Sequence, residues 1–175
     1  MKKQMRTRKA KYIAYVAATI DGRISLSEKR RPTWTSPEDW KHFQKGLSQS
    51  DAVVVGSNTY AAAKSRLQKR TTFVLTSKVR DIHTEGTVTF VNPAYTPLKR
   101  LLSKFSVVAV AGGGAVYRTM LEAKLLDELY VTIEPLVFGR GTQMFSDGSK
   151  TRRFQLESVK KLNARGTVLL HYKKI

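Results

Sequence analysis

The sequence predicts an α/β fold built on a mostly parallel sheet with an antiparallel edge, and three observations carry that prediction. Short apolar runs such as Tyr12–Ala18 and Asp51–Val55 are nearly continuous, the pattern of strands buried on both faces. They alternate with segments that start on helix-capping residues and carry apolar stripes at helical spacing. The chain then closes on two alternating segments joined by Asn163-Ala-Arg-Gly166, an antiparallel hairpin.

The elements follow in order. Residues 1–10 read as a basic arm outside the fold, and 11–175 as a single domain. The first strand, Tyr12–Ala18, runs into Thr19-Ile20-Asp21-Gly22 and a polar loop. Ser36-Pro37-Glu38-Asp39 opens a helix: Ser36 suits the N-cap, Pro37 the first helical position, and the acids the positive dipole end. Trp40, Phe43 and Leu47 form its apolar stripe. A strand ending at Val55 meets Gly56 and a helix over 58–66; Thr71–Leu75 is the next strand and Val88–Val91 a weaker one. Thr96-Pro97 opens a helix through Lys104. Val107–Ala111 is a strand, Ala115–Ala123 a helix, and Leu129–Val137 a long strand that Pro135 distorts. The closing hairpin pairs Phe154–Leu162 with Thr167–Tyr172.

Composition bounds the function. A chain of 175 residues without cysteine has no disulfide framework and no thiolate chemistry, so a cytoplasmic location is expected. No apolar stretch approaches the ~20 residues needed to cross a bilayer, so no membrane role is expected, and no metal site is assigned. Lys and Arg number 32 against 13 Asp and Glu, a formal net charge of +19. That excess suits an anionic ligand, and it keeps nucleic acid open as a partner. No RNP-type or helix-turn-helix motif accompanies it.

Between strand and helix stand three glycines, Gly112-Gly113-Gly114. A dinucleotide fingerprint would place its third glycine at 117, where the chain has Tyr117, and no P-loop string occurs. What remains is a strand, a Gly-rich turn and a helix N-terminus, which offers free N–H groups to an anion. A tight turn without a ligand has the same sequence.

The surrounding segments narrow this. AGGGAVYRTMLEAKLLDELYVTIEPLVFGRGTQMF (111–145) resembles the last third of the dihydrofolate reductase superfamily, which includes the riboflavin-biosynthesis reductase domain. ATIDGRI (18–24), PTWTSPEDWKHF (32–43) and SDAVVVGSNTY with RTTFVLTSK resemble its other segments in the right order, so the likeness spans about residues 12–172. It implies an eight-stranded, mostly parallel sheet flanked by helices, with NADPH across the carboxyl ends of the strands.

By resemblance, Gly112-Gly113 carries a cis peptide bond, and Gly114, Ala115 and Val116 offer N–H groups to the cofactor pyrophosphate. Tyr117 then packs on the nicotinamide side, or serves as a core aromatic. Gly56-Ser57-Asn58-Thr59 forms a second helix N-terminus aimed at phosphate, without the basic residue that dihydrofolate reductases often place there. Ala18 and Ile24 flank the cofactor at the first strand and the loop after it. Thr76-Ser77-Lys78 matches the 2′-phosphate segment, favouring NADPH over NADH, although Lys78 equally fits plain surface exposure.

Asp39 stands five residues after Trp34 and four before Phe43, as does the family's substrate-binding acid. On a helix Asp39 and Phe43 share a face, giving a carboxylate and a ring to hold a flat heterocycle. The alternative is that Asp39 only completes a capping box with Ser36. Thr132 matches a hydroxyl that supports the acid, Trp34 a substrate-side aromatic, and Arg70 an arginine that clamps a substrate carboxylate or phosphate. Two departures stand out: Ala111 and Tyr15 occupy the places where riboflavin-type reductases carry a glutamate and a lysine. The Thr-Ile-Asp-Gly and Phe-Gly-Arg-Gly elements at 19–22 and 138–141 nonetheless resemble that branch. The expectation is an NADPH-dependent reductase acting on a small pterin- or pyrimidine-like heterocycle, of the dihydrofolate or ribosylaminouracil phosphate type, and by analogy a homodimer. The competing expectation is a basic nucleotide- or RNA-binding protein on a catalytically retired reductase fold.

Overall fold

The computed structural model describes residues 9–26, 33–145 and 151–175. Of the arm expected over 1–10, residues 1–8 lie outside that description, whereas Ala10 is buried in the core. The main sheet begins with β1 (Lys11–Thr19), whose buried residues face helices on both sides. β1 is flanked by β7 (Val107–Val110) and β8 (Glu128–Glu134), both parallel to it. Beyond β7 lie β3 (Ala52–Gly56), β4 (Thr72–Leu75) and β6 (Val88–Val91), again parallel, and then β5 (Ile82–Glu85), antiparallel to β6. Beyond β8 lie β11 (Val168–Lys174) and β10 (Phe154–Lys161), the antiparallel hairpin. The order is β10-β11-β8-β1-β7-β3-β4-β6-β5.

Helices α1 (Pro37–Ser48) and α2 (Ser57–Leu67) cover one face of the sheet; α3 (Leu98–Leu102) and α4 (Gly114–Glu122) cover the other. One core cluster gathers Ala14, Val54, Val108, Val110, Met120 and Leu126, the other Ile13, Tyr15, Val53, Val55, Val74 and Leu67. Neighbouring strand residues thus divide between two cores, which is why the strands read as continuous apolar runs.

Among the described residues the sheet has nine strands where eight are expected, and a separate ribbon pairs β2 (Arg23–Ser25) with β9 (Thr142–Gln143). β5 is the strand that patterning misses. Its residues Ile-His-Thr-Glu are all exposed, and an edge strand needs only backbone pairing to one neighbour. β8 stops at Glu134, one residue before Pro135, rather than continuing to 137. The helix expected from Pro97 to Lys104 shortens to five residues, with Pro97 outside it.

Candidate active site

The carboxyl ends of β1, β3 and β7 open into a cavity of about 710 Å³, bounded by α1, α2 and α4. β7 enters the sheet between β1 and β3, so the chain leaves the centre in two directions there, the usual place for a ligand in an open α/β sheet.

Two helix N-termini reach one half of the cavity. α2 starts after Gly56 and α4 after Gly113; among the described residues neither has a side-chain cap, and neither has an acid in its first turn. α1 contrasts with both: the Ser36 hydroxyl accepts from the Asp39 N–H at 3.3 Å, and Glu38 and Asp39 fill the first turn. Two helix N-terminal dipole ends with no acid in their first turn therefore face the cavity from two directions. Gly56, Ser57, Asn58 and Thr59 line it from α2, and Gly112, Gly113, Gly114, Ala115, Val116 and Tyr117 from α4.

The glycines permit this approach. Gly112 and Gly113 have φ of +140° and +85°. A Cβ on Gly112 would lie 2.9 Å from Thr59 Oγ1, and one on Gly114 would lie 2.7 Å from the Gln143 carbonyl. The cis bond implied for Gly112-Gly113 is not found: no cis peptide occurs among the described residues, and the chain turns through positive φ at the two glycines instead. Thr76 and Ser77 line the far end. Lys78 does not; it is exposed, with its N–H on Thr76 Oγ1 at 3.2 Å. Ile24 lines the cavity, whereas Ala18 is fully buried and stands outside the lining, to which Tyr15, Val16 and Ala17 of the same strand belong.

The other half belongs to α1. Asp39 is 9% exposed, and burial is the main cause that raises its carboxyl above the usual carboxylate range. The nearby Glu134 adds to the shift, while the Thr132 hydroxyl, donating to the carboxylate, opposes it. Asp39 thus both lines the cavity and contributes its backbone N–H to the helix cap. Glu134 is committed elsewhere: Oε1 accepts the Ser36 N–H at 2.6 Å and Oε2 the Thr167 hydroxyl at 2.7 Å. It ties the start of α1, and with it Asp39, to β8 and the hairpin. Tyr117 donates its hydroxyl to the Tyr15 carbonyl at 2.6 Å; burial first, and then Asp39, push its phenol up.

Phe43, Thr132 and Arg70 also line the cavity, and Arg70 Nη1 donates to the Leu47 carbonyl at 2.8 Å. Trp34 stands outside the lining, packed edge-on against Phe138 with ring centroids 5.2 Å apart. Ala111 and Tyr15, the two departures, are both lining residues. Sequence reasoning leaves out His42, Tyr130 and Asn92, which line it too. His42 lies one helical turn beyond Asp39, a signal that was present. Tyr130 enters only because it is the register partner of Tyr15 across two strands, which spacing does not reveal.

At the rim the two riboflavin-branch elements meet. Asp21 Oδ1 accepts the Thr19 hydroxyl at 2.5 Å and the Phe138 N–H at 3.1 Å, and Oδ2 accepts the Gly139 N–H at 2.8 Å. These bonds, the Thr19 hydroxyl first, hold its carboxyl down to about 2. Arg23 Nη1 reaches the Gly141 carbonyl at 3.2 Å.

The fold and the cavity define an α/β protein with a cleft at the carboxyl end of a mostly parallel sheet, flanked by two helix N-termini. More particularly, the chain belongs to the dihydrofolate reductase family, whose model matches residues 12–168. It is 26% identical over 172 residues to the uncharacterized protein YwjB of Bacillus subtilis (strain 168), covering 93% of this chain and 97% of that one. A putative riboflavin biosynthesis protein from Shewanella sp. PV-4 superposes with a TM-score of 0.71 at 19% identity, over 94% of this chain and 99% of that one. A pyrimidine reductase-like protein from Corynebacterium diphtheriae gives 0.74 at 17%, over 96% and 93%. RibD of Acinetobacter baumannii gives 0.76 at 19%, over 98% of this chain but 59% of that longer one.

Proposed function

We propose that this protein is an NADPH-dependent reductase that acts on a C=N bond of a pterin- or pyrimidine-like heterocycle. The observation that carries this reading is the shared cavity: a buried carboxylate, Asp39, on one side, and two uncapped helix N-termini on the other. The N-termini suit a pyrophosphate, with N–H groups from Gly114 to Val116 and from Ser57 to Thr59 holding it. Thr76 and Ser77 would meet the adenosine end, with Lys78 reaching in from the rim. When bound, the nicotinamide supplies a hydride.

The chain's own part is orientation. Asp39 accepts a pair of N–H groups from the heterocycle, Phe43 covers one face of it, and Arg70 meets an acidic substituent. Thr132 and the Glu134–Ser36 link hold Asp39 in place, and its raised pKa lets it carry a proton near the substrate nitrogen. A homodimer in the cytoplasm belongs to the same reading, and sedimentation equilibrium tests the dimer.

Calorimetric titration with NADPH and with 5,6-diaminouracil as a binding probe, followed by NADPH consumption with dihydrofolate, tests the function. Saturable micromolar binding of NADPH and turnover of dihydrofolate are expected. No NADPH binding, together with RNA binding that falls steeply with salt, would instead establish the nucleic-acid reading.

A further inference from the structure

His42 follows Asp39 by three residues on α1, so both side chains leave the helix on one side, with ~5–6 Å between Cβ atoms at this spacing. The imidazole lines the cavity, yet nothing in the proposed reaction uses it. It is wedged between two tyrosines. Its ring centroid lies 4.9 Å from that of Tyr130 at 60° and 5.8 Å from that of Tyr15 at 54°.

The wall behind it is firmly built. Tyr15 and Tyr130 are register partners on β1 and β8, and their rings stack at 5.4 Å and 9°. Tyr130 stacks in turn on His171 of β11 at 4.2 Å and 7°, and His171 Nε2 meets Glu128 Oε2 at 3.1 Å. On the helix side Gly46 leaves the room that Tyr15 occupies, since a Cβ there would come within 2.6 Å of the phenol oxygen. Packing, not hydrogen bonding, thus sets the orientation of the His42 ring.

His42 Nε2 is shut off from solvent and has no hydrogen-bond partner among the described residues. Buried polar atoms are rarely left so, and each exception calls for an explanation. The imidazole is tilted against the Tyr130 ring. A proton on Nε2 leaves Nδ1 with a free lone pair. Burial disfavours the charged ring, as do Lys45 of α1, Lys160 of β10 and His171 of β11; the phenols of Tyr15 and Tyr130 face it from β1 and β8.

We propose that His42 determines substrate specificity: its Nδ1 accepts a hydrogen bond from an N–H or O–H of the heterocycle held at Asp39. The inference rests on the reductase reading above and deepens it. Carboxylate and imidazole together select a flat ligand with donors on two edges, such as an amino-substituted pyrimidine or pterin, over one that has a donor only where Asp39 binds. Tyr15 and Tyr130 act as positioning residues that fix the imidazole plane.

The test is a titration of wild type, His42→Phe and His42→Gln with 5,6-diaminouracil and dihydrofolate, alongside an NMR titration of protein labelled with ¹⁵N-histidine. His42→Phe should weaken binding of the probe by about 3- to 10-fold, the worth of one neutral hydrogen bond. NADPH affinity should not change, His42→Gln should restore part of the loss, and the Nδ1 resonance of His42 should move when the probe binds. Should His42→Phe not fold, His42→Gln and the resonance decide. A probe that binds all three proteins equally, or leaves that resonance still, overturns the assignment of His42 and spares the reductase reading. If wild type binds neither probe, the reductase reading fails and the assignment of His42 falls with it.

Discussion

Asp39 joins two jobs that the sequence left as alternatives. Its backbone completes the Ser36 cap while its carboxylate faces the cavity. Replacing it with Asn keeps the shape and the cap, and should lower kcat/KM with the responding heterocycle by about 100-fold or more. The same change should stabilise the protein at neutral pH. Burial raises the Asp39 pKa in the folded state, so its contribution to stability is fully present below the unfolded value, ~3.9, and is lost as pH rises through the folded value. Melting temperatures of Asp39→Asn and wild type should therefore coincide in acid and separate, with the variant higher, as pH rises to 7. Glu134 predicts the opposite sign. Glu134→Ala strands the Ser36 N–H and the Thr167 hydroxyl, and should cost about 1–3 kcal/mol in urea denaturation. Asp39 was legible because its spacing from Ser36, Trp34 and Phe43 is local. Glu134 was not, because its partners lie 98 and 33 residues away.

At the level of elements, the glycine turn and the rim clasp do the positioning. Gly112 and Gly113 turn the chain out of β7 through positive φ, and Gly114 lets α4 begin against the Gln143 carbonyl. Gly114→Ala should lower both the melting temperature and the NADPH affinity, since the new Cβ pushes the helix N-terminus off its place. Equal affinity in calorimetry would count against a cofactor at that turn. The clasp at Asp21 makes a pH prediction. Its carboxyl is held at about 2, below its ordinary value, so its stabilising effect is full above ~pH 4 and is lost as pH falls toward 2. Wild type should melt above Asp21→Asn at pH 7 and converge with it across that window. Capped α1, the parallel strands and the hairpin were legible because apolar period and capping residues are written in consecutive positions. β5 was not, having no buried face to print a period. The fate of the glycines was half legible: composition demanded a turn, but only the approach of β9 and Thr59 shows what the missing side chains make room for.

For the molecule as a whole, 32 basic against 13 acidic side chains leave most cations without an acidic partner. Self-repulsion of that kind loosens a compact state and is screened over ~10 Å at 0.1 M salt. The melting temperature should rise between about 20 and 200 mM NaCl. A flat or falling curve would mean that the charges are already compensated by their placement. Local order along the chain determined the α/β class, the first helix with its acid, the glycine turn and the closing hairpin, since each depends on neighbours within one or two turns. The resemblance of four ordered segments supplied the family. Tertiary structure alone decided which residues share the cavity: it placed Trp34, Ala18 and Lys78 outside the lining and brought in Tyr130 and the His42 ring against it. The physical reason is register. Which strand lies beside which, and at what offset, follows from burial and pairing summed over the whole sheet, and no stretch of sequence carries that sum by itself.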